Sequence, residues 1–185
     1  MLEKVYSDYK ARMQKSVEVL ETEFARIRTS RANPAILDGI KVDYYGTPTP
    51  LKQIASISVP EPRQLVVQPW DRNALGEVEK AIQKSELGLN PRVEANLLRI
   101  VIPALTEERR RELVKLCGKL TEDARIAVRN IRREANEQVK KLEKDKQISE
   151  DDSKTAVKKV QELTDEFVAK LDKLFKAKEA EVLEK

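Results

Sequence analysis

The sequence of 185 residues contains no histidine, a single cysteine (Cys117) and few aromatic residues, which make up 4% of the chain. Without histidine the chain lacks the commonest general base and the commonest zinc ligand. One cysteine cannot form an intramolecular disulfide, and the glycine-rich signatures of phosphate-binding loops are absent. We therefore expect a protein that is not an enzyme and that holds no metal or cofactor.

Long apolar segments are also missing. The sequence has no run of about 18 apolar residues, which a membrane-spanning helix requires. Residues Met1–Val5 lack the basic and apolar regions of a signal peptide. These features predict a cytoplasmic protein without a membrane partner.

Charged residues, by contrast, are abundant and unevenly placed. They make up 37% of the chain, against about 25% in typical soluble domains. All eight prolines lie between Pro34 and Pro103, and residues 31–104 carry only 9 basic and 8 acidic side chains. The remaining sequence is much denser in charge, although the net charge is only +4. The composition therefore predicts a domain of residues 31–104 inserted into a different kind of structure, formed by residues 1–30 and 105–185.

The two outer segments have the periodicity of amphipathic helices, with apolar residues three and four positions apart. Thr106 and Ser149 are candidate N-caps for the second and third helices. The apolar positions of the first helix are Tyr6, Tyr9, Met13, Val17, Leu20, Phe24 and Ile27. Three long helices with one apolar stripe each predict a three-helix bundle.

The insert alternates short strand-like runs with one helical segment. Residues 40–44, 54–59, 65–67 and 98–102 are strand candidates, and residues 74–85 are a helix candidate. The expected fold class is α+β, with a mixed sheet and a helix in the insert. Because the chain enters and leaves the insert at neighbouring points, we predict a hinge of two linkers, formed by Ser30, Arg31, Ala104 and Leu105.

Arginine is concentrated before residue 134, whereas 12 lysines follow that point. Residues 109–133 carry nine basic and three acidic side chains. On an idealised helical wheel four arginines share one flank: Arg111, Arg125, Arg129 and Arg132. Arginine binds phosphate through a planar fork, so a rigid stripe of arginines predicts an RNA-binding face. No aromatic residues interleave with the stripe, which favours structured RNA over single strands.

Less specific interpretations stay open for these features. The arginines could pair with acidic residues on neighbouring helices, and the protein could be a structural or chaperone adaptor that binds protein helices. Cys117 and Trp70 are expected to be packed inside the protein. Residues 44–50 are expected to form an exposed loop, in which the rings of Tyr44 and Tyr45 either pack on each other or meet a partner.

Several motifs together resemble the bacterial ribosome recycling factor family. The segments that carry the resemblance are residues 28–34 (RTSRANP), 44–48 (YYGTP), 87–91 (LGLNP), 105–110 (LTEERR) and 128–133 (VRNIRR). The resemblance implies an L-shaped molecule, with a long three-helix bundle and a small α/β domain inserted after the first helix. The sequence departs from the family's usual pattern at Ser30, where glycine is common, and at residues 94–96, where a Gly-Asp turn is common.

The resemblance also implies a function. Members of the family bind the ribosome after termination and split the subunits with elongation factor G, which hydrolyses GTP, so that messenger RNA and tRNA are released. A monomer is expected, bound to large-subunit ribosomal RNA. Arg129 and Arg132 match the family's RNA-contacting arginines, and Arg28, Arg31 and Arg110 match basic positions near the hinge. Arg125 and Arg133 complete the candidate set from the stripe.

Overall fold

A computed structural model describes residues 1–184 and contains three long helices. Helix α1 spans Leu2–Arg26, α3 spans Glu107–Lys144 and α4 spans Glu150–Leu183. Residues 1–24 and 112–180 form one compact unit. The three long helices predicted from the apolar periodicity are therefore present.

The helix ends follow from local sequence. The Thr106 hydroxyl accepts a hydrogen bond from the Arg109 amide at 3.1 Å, which caps α3. At the start of α4, Ser149 Oγ accepts from the Asp152 amide at 3.0 Å, and Asp152 Oδ2 accepts from the Ser149 amide at 3.2 Å. This reciprocal pair has the geometry of a capping box. Both predicted caps are confirmed.

The core of this first unit is made by the stripes that the periodicity picked out. Helix α1 buries Val5, Met13, Val17, Leu20 and Phe24. Helices α3 and α4 contribute a further buried set: Leu113, Cys117, Val128, Ile131, Ala135, Val139, Ala156, Val160, Phe167 and Leu171. Cys117 is thus a buried residue, as predicted.

The second unit comprises residues 25–111 and the C-terminal residues from Glu181 onward. Its largest sheet has four strands in the order β3-β4-β6-β5, where β3 is Ala55–Glu61, β4 is Gln64–Pro69, β5 is Arg92–Glu94 and β6 is Leu97–Val101. A separate hairpin pairs β1 (Lys41–Tyr44) with β2 (Thr47–Pro50). Helix α2 spans Leu75–Lys84. Side chains from both sheets and from α2 form one core, including Val42, Leu65, Val78, Ile82 and Leu98.

Three sequence-based expectations about this unit need correction. The sheet is antiparallel throughout rather than mixed, because tight hairpins join β3 to β4 and β5 to β6. Residues 47–50 form a strand and not a loop, since Thr47 and Thr49 can pair while Pro48 and Pro50 need no donor in an edge strand. Trp70 is 68% exposed, because it follows the buried end of β4 and points away from the core.

The loop expected at Tyr44 and Tyr45 is a tight turn. Tyr45 and Gly46 both have positive φ, at 49° and 82°, and Tyr44 pairs with Thr47. Two positive φ angles at the central positions are typical of a type I′ hairpin turn. The two rings lie edge to face with centroids 4.6 Å apart, and Tyr45 remains 74% exposed.

Candidate nucleic-acid interface

The seven candidate arginines are divided between the two units. Arg125, Arg129, Arg132 and Arg133 lie on α3 in the first unit. The other three, Arg28, Arg31 and Arg110, belong to the second unit. The α3 arginines differ from one another in their contacts.

Arg125 is held by two carboxylates. Its Nε and Nη2 both donate to Asp172 Oδ1 on α4, at 2.8 and 2.5 Å, and its Nη1 donates to Glu122 Oε2 at 2.9 Å. The hydrogen bonds to Asp172 raise the pKa of the guanidinium above its ordinary value, and those to Glu122 add to the effect. The side chain is only 23% exposed. Arg125 therefore joins α3 to α4, and its guanidinium is engaged by carboxylates of the protein itself.

Arg129 shares one of these carboxylates. Its Nη1 lies 3.4 Å from Glu122 Oε1, and the two side chains are 46% and 49% exposed. A contact of that length between half-exposed side chains is weak. The Arg129 side chain is about half exposed, so its guanidinium can be reached by a phosphate from solvent.

Arg132 is oriented by a neutral group instead of a carboxylate. Its Nη1 donates to Gln161 Oε1 on α4 at 3.0 Å, and Gln161 Nε2 in turn donates to Asp165 Oδ1 at 2.8 Å. The amide between Arg132 and Asp165 fixes the position of the guanidinium without neutralising its charge in a direct ion pair. Arg132 is thus both positioned and charged, which is what phosphate binding requires.

Arg133 is exposed, and its Nη1 makes only a long contact of 3.5 Å to Asn130 on its own helix. Arg110 is half-buried, and its Nε lies buried with no hydrogen-bond partner among residues 1–184. The first side chain can follow a ligand, whereas the second is restrained by its surroundings.

Arg28 is used within the second unit. Its Nη1 and Nη2 donate to the main-chain carbonyls of Leu87 and Pro103, at 3.5 and 3.3 Å. Two carbonyls from distant parts of the chain are thereby tied to one side chain. The geometry is that of a structural clamp.

Arg31 and its neighbours are attached to the end of α4. Arg31 Nη2 lies 2.6 Å from Glu184 Oε2. The Thr29 hydroxyl donates to Glu181 Oε1 at 3.0 Å and accepts from the Arg31 amide at 3.2 Å. All of these residues belong to the second unit. The contacts link the segment that follows α1 to the end of α4.

The four predicted hinge residues lie outside helices and strands. Ser30 is only 8% exposed, and its hydroxyl has no hydrogen-bond partner among residues 1–184. Its φ is not positive, so serine is accommodated here without backbone strain. Ala104 is exposed and Leu105 is half-buried.

The residues that the sequence analysis missed are the partners of the arginines. Glu122 lies three and seven positions before Arg125 and Arg129, a spacing that places all three on one face of a helix, so this contact had a readable signal. Asp172 and Gln161 had none, since only the packing of α4 against α3 brings them to Arg125 and Arg132.

An apolar groove between α1 and α3 was also not anticipated. It encloses about 390 Å³ and is lined by Val19, Leu20, Leu120, Ala124 and Ala127, with polar side chains at its rim. Val19 is 57% exposed there. The bundle therefore presents an apolar face of α1 and α3 as well as the arginines.

Residues 1–184 contain neither a candidate membrane-spanning helix nor a candidate metal-binding cluster. None of the helices there combines the length and the apolarity needed to cross a membrane. In the same residues, no three side chains of histidine, cysteine, aspartate or glutamate are grouped so as to hold a metal ion.

Comparison with known proteins gives a consistent result along the whole chain. The ribosome recycling factor family matches residues 20–183. The ribosome-recycling factor of Nitratidesulfovibrio vulgaris is 55% identical over 99% of this chain and 98% of its own length. That of Brevibacillus brevis is 52% identical over the full length of both chains.

Solved structures agree with the sequence comparison. A solution structure of a ribosome recycling factor matches 98% of this chain and 97% of its own, with a TM-score of 0.74 and 49% identity. A second structure is that of the T. thermophilus ribosome recycling factor, described with E. coli elongation factor G on an E. coli post-termination complex. The match covers 100% of this chain and 100% of that one, with a TM-score of 0.69 and 52% identity. Identity near 50% over the whole chain, together with the same fold, places this protein: it belongs to the ribosome recycling factor family.

Proposed function

We propose that this protein recycles the ribosome after termination: it splits the subunits together with elongation factor G and so releases messenger RNA and tRNA. The observation that carries the proposal is the full-length similarity to ribosome recycling factors, one of which is described with elongation factor G on a post-termination complex. We infer that the protein itself catalyses no chemical step. The work is assigned to GTP hydrolysis by the partner, and the protein acts in the cytoplasm.

The RNA-binding face is proposed to be the arginines of α3. Arg132 is the central residue, because Gln161 orients it without cancelling its charge. Arg129 and Arg133 extend the face, since Arg129 is half-exposed, Arg133 is exposed and both make only long contacts among residues 1–184. Arg110 and Arg31 are assigned supporting contacts with ribosomal RNA in the second unit.

Arg125 and Arg28 are assigned a structural role. Arg125 is occupied by Asp172 and Glu122, and Arg28 by two main-chain carbonyls. We propose that both contribute to RNA binding by holding the structure around the other arginines.

The domain organisation is proposed as read from the sequence. Residues 31–104 turn about the linkers at Ser30–Arg31 and Ala104–Leu105, while residues 1–30 and 105–185 stay on the RNA. Pairs of fluorescent labels, one in the bundle and one in the insert, would report the motion when elongation factor G and GTP are added. A label distance that stays constant throughout splitting contradicts the hinge.

The test of the main proposal is a purified splitting assay with Arg132→Ala. We expect roughly tenfold weaker binding to ribosomes, because a charge-assisted contact with phosphate is lost, and correspondingly slower splitting in the presence of elongation factor G. Arg132→Lys keeps the charge but loses the fork, so it should recover only part of the binding.

Arg12→Ala is the matched control. Arg12 is an arginine of the same unit whose partner, Glu134, lies 2.6 Å away, and it stands outside the proposed face. The Arg12→Ala variant should split ribosomes like the unmodified protein. Normal splitting by a folded Arg132→Ala variant would refute the assignment of the α3 face.

An adaptor that binds protein helices is the second candidate function, and one observation favours it. The apolar groove between α1 and α3, with Val19 exposed, is a surface that an amphipathic helix could cover. If this groove were the main binding site, Val19→Asp would abolish ribosome binding while Arg132→Ala would have no effect.

A further inference from the structure

The arginines of α3 are not equally available to an external phosphate, because the carboxylate of Glu122 lies between Arg125 and Arg129. Glu122 Oε2 accepts from Arg125 Nη1 at 2.9 Å, and Glu122 Oε1 accepts from Arg129 Nη1 at 3.4 Å. The three residues share one face of α3. The carboxylate therefore holds both guanidinium groups of the free protein in one short chain of ion pairs.

The two contacts differ in how readily they break. Arg125 is fixed a second time by Asp172, through both Nε and Nη2, and it is the less exposed of the two arginines, at 23% against 46%. Arg129 has the long contact with Glu122 and no other partner among residues 1–184. An incoming phosphate would therefore take Arg129 away and leave Arg125 in place.

The carboxylate is not stranded by that exchange. Glu122 keeps its 2.9 Å contact with Arg125 when Arg129 turns to a ligand. An exposed carboxylate that loses one charge partner but keeps another is destabilised only slightly. The geometry thus permits Arg129 to alternate between Glu122 and a phosphate.

We propose that Glu122 is an internal competitor of RNA phosphate for Arg129, and that it limits how tightly and how long the protein stays on the ribosome. The inference rests on the proposed binding of RNA by the α3 arginines and adds the residue that opposes it. A protein that must leave its ribosome after each round gains from a contact that takes back the arginine as RNA departs. Asp172, by fixing Arg125, keeps the competitor in position.

The test compares Glu122→Gln with Glu166→Gln in binding to purified large ribosomal subunits at fixed salt. Glu166 is a matched control because its ion pair with Lys170 on α4 has the same length, 3.4 Å, and its exposure of 51% is close to the 49% of Glu122. Both substitutions remove one negative charge and keep the shape of the side chain. Glu122→Gln should bind about two- to fivefold more tightly, mainly through slower dissociation, and Glu166→Gln should bind like the unmodified protein. Equal affinities for the two variants would overturn the proposal.

A double-mutant cycle with Arg129→Ala tests whether Glu122 acts through Arg129. Glu122→Gln should tighten binding of the unmodified protein and should have no effect once Arg129 is alanine. The same gain in both backgrounds would mean that Glu122 merely repels RNA, and the internal competition would be wrong.

Arg132→Ala in the same binding assay separates the two proposals. If it binds weakly while Glu122→Gln matches Glu166→Gln, the RNA-binding face stands and only the competitor is lost. If neither Arg132→Ala nor Arg129→Ala weakens binding, the RNA-binding face itself fails and the competitor falls with it.

Discussion

Single polar groups decide how much of this protein's charge and hydrogen-bonding capacity is used internally. Arg125 and Arg132 lie seven positions apart on one helix, yet the first faces two carboxylates and the second a neutral amide. The adjacent residues Thr29 and Ser30 differ in the same way. The Thr29 hydroxyl both donates and accepts, whereas the Ser30 hydroxyl has no partner among residues 1–184. Such differences can be tested one residue at a time.

Ser30→Ala should raise the free energy of unfolding by about 1 kcal/mol, because it removes a buried hydroxyl that makes no hydrogen bond. Thr29→Val removes a hydroxyl of similar burial that is fully bonded, so it should lower the same quantity by about 1 kcal/mol. Urea unfolding of both variants measures the two changes. A destabilised Ser30→Ala would mean that the hydroxyl has a partner.

The hydrogen bond between the Tyr45 hydroxyl and Asp71 Oδ2, at 2.5 Å, should make stability depend on pH at both extremes. This bond lowers the pKa of Asp71 below its ordinary 3.8 and raises the pKa of Tyr45 above its ordinary 10.0. Because its pKa is lowered, the Asp71 carboxyl stabilises the fold above about pH 4, and this stabilisation is lost as the pH falls through the pKa of Asp71 in the folded protein. Because its pKa is raised, the Tyr45 phenol stabilises the fold below about pH 10, and this stabilisation is lost as the pH rises through the pKa of Tyr45 in the folded protein.

Tyr45→Phe keeps the ring and removes the bond, so it isolates this effect. The stability difference between the unmodified protein and the variant should be constant from about pH 5 to pH 9 and should shrink outside that range. Urea unfolding at pH 3, 7 and 10.5 would measure it. A difference that does not vary with pH would contradict the role of the bond.

At the scale of elements, the ends of helices and hairpins show where local sequence and local geometry disagree. Helix α3 ends in a Schellman motif: the Gln147 amide donates to the Leu142 carbonyl and the Lys146 amide to the Glu143 carbonyl, both at 2.9 Å. Lys146 occupies the left-handed position of this motif, with φ of 56°, where glycine is usual. Ala95 is a similar case in the hairpin between β5 and β6, with φ of 51°.

Lys146→Gly should therefore stabilise the protein by about 1 kcal/mol, since a side chain in the left-handed region is strained. Lys140→Gly provides the control, because the same replacement within the helix should destabilise by about 1 kcal/mol. Thermal or urea unfolding distinguishes the signs. If both variants are destabilised, the φ at residue 146 does not govern the end of α3.

At the scale of the whole molecule, net charge is a poor guide to binding. The value of +4 averages a nearly neutral insert, a lysine-rich α4 and an arginine-rich α3. Ion pairs within the first unit reduce the available charge further, as at Arg12 and Arg125. The charge available to a polyanion is therefore smaller than the number of basic residues suggests.

Binding to ribosomes should accordingly fall steeply with salt. For about three phosphate contacts, made by Arg129, Arg132 and Arg133 of the α3 face alone, counterion release predicts roughly a thirtyfold loss of affinity between about 50 and 200 mM salt. Arg132→Ala should reduce the slope by about one contact. A binding curve that is insensitive to salt would instead favour the apolar groove between α1 and α3.

Much of the fold could be predicted from the sequence because its signals are local. Apolar spacing, Thr106, Ser149 and the distribution of proline and glycine act within a few residues, and the structure has helices and strands where these signals put them. Trp70 was the clearest failure, since a strand-like run does not reveal on which side of the core its last residue falls. The antiparallel order of the sheet was a similar failure, because the pairing of β4 with β6 joins strands that lie far apart in the sequence.

The candidate interface is where sequence and tertiary structure contribute different things. The sequence by itself determined that α3 carries a row of arginines, because the helical period fixes which side chains share a face. Only the tertiary structure decided which of them are held in ion pairs with carboxylates. Asp172 lies 47 positions from Arg125, and Gln161 lies 29 positions from Arg132, so nothing local relates either pair. Packing α4 against α3 brings a carboxylate to one arginine and an amide to the other, so that one guanidinium is held in an ion pair and the other is oriented by a neutral group.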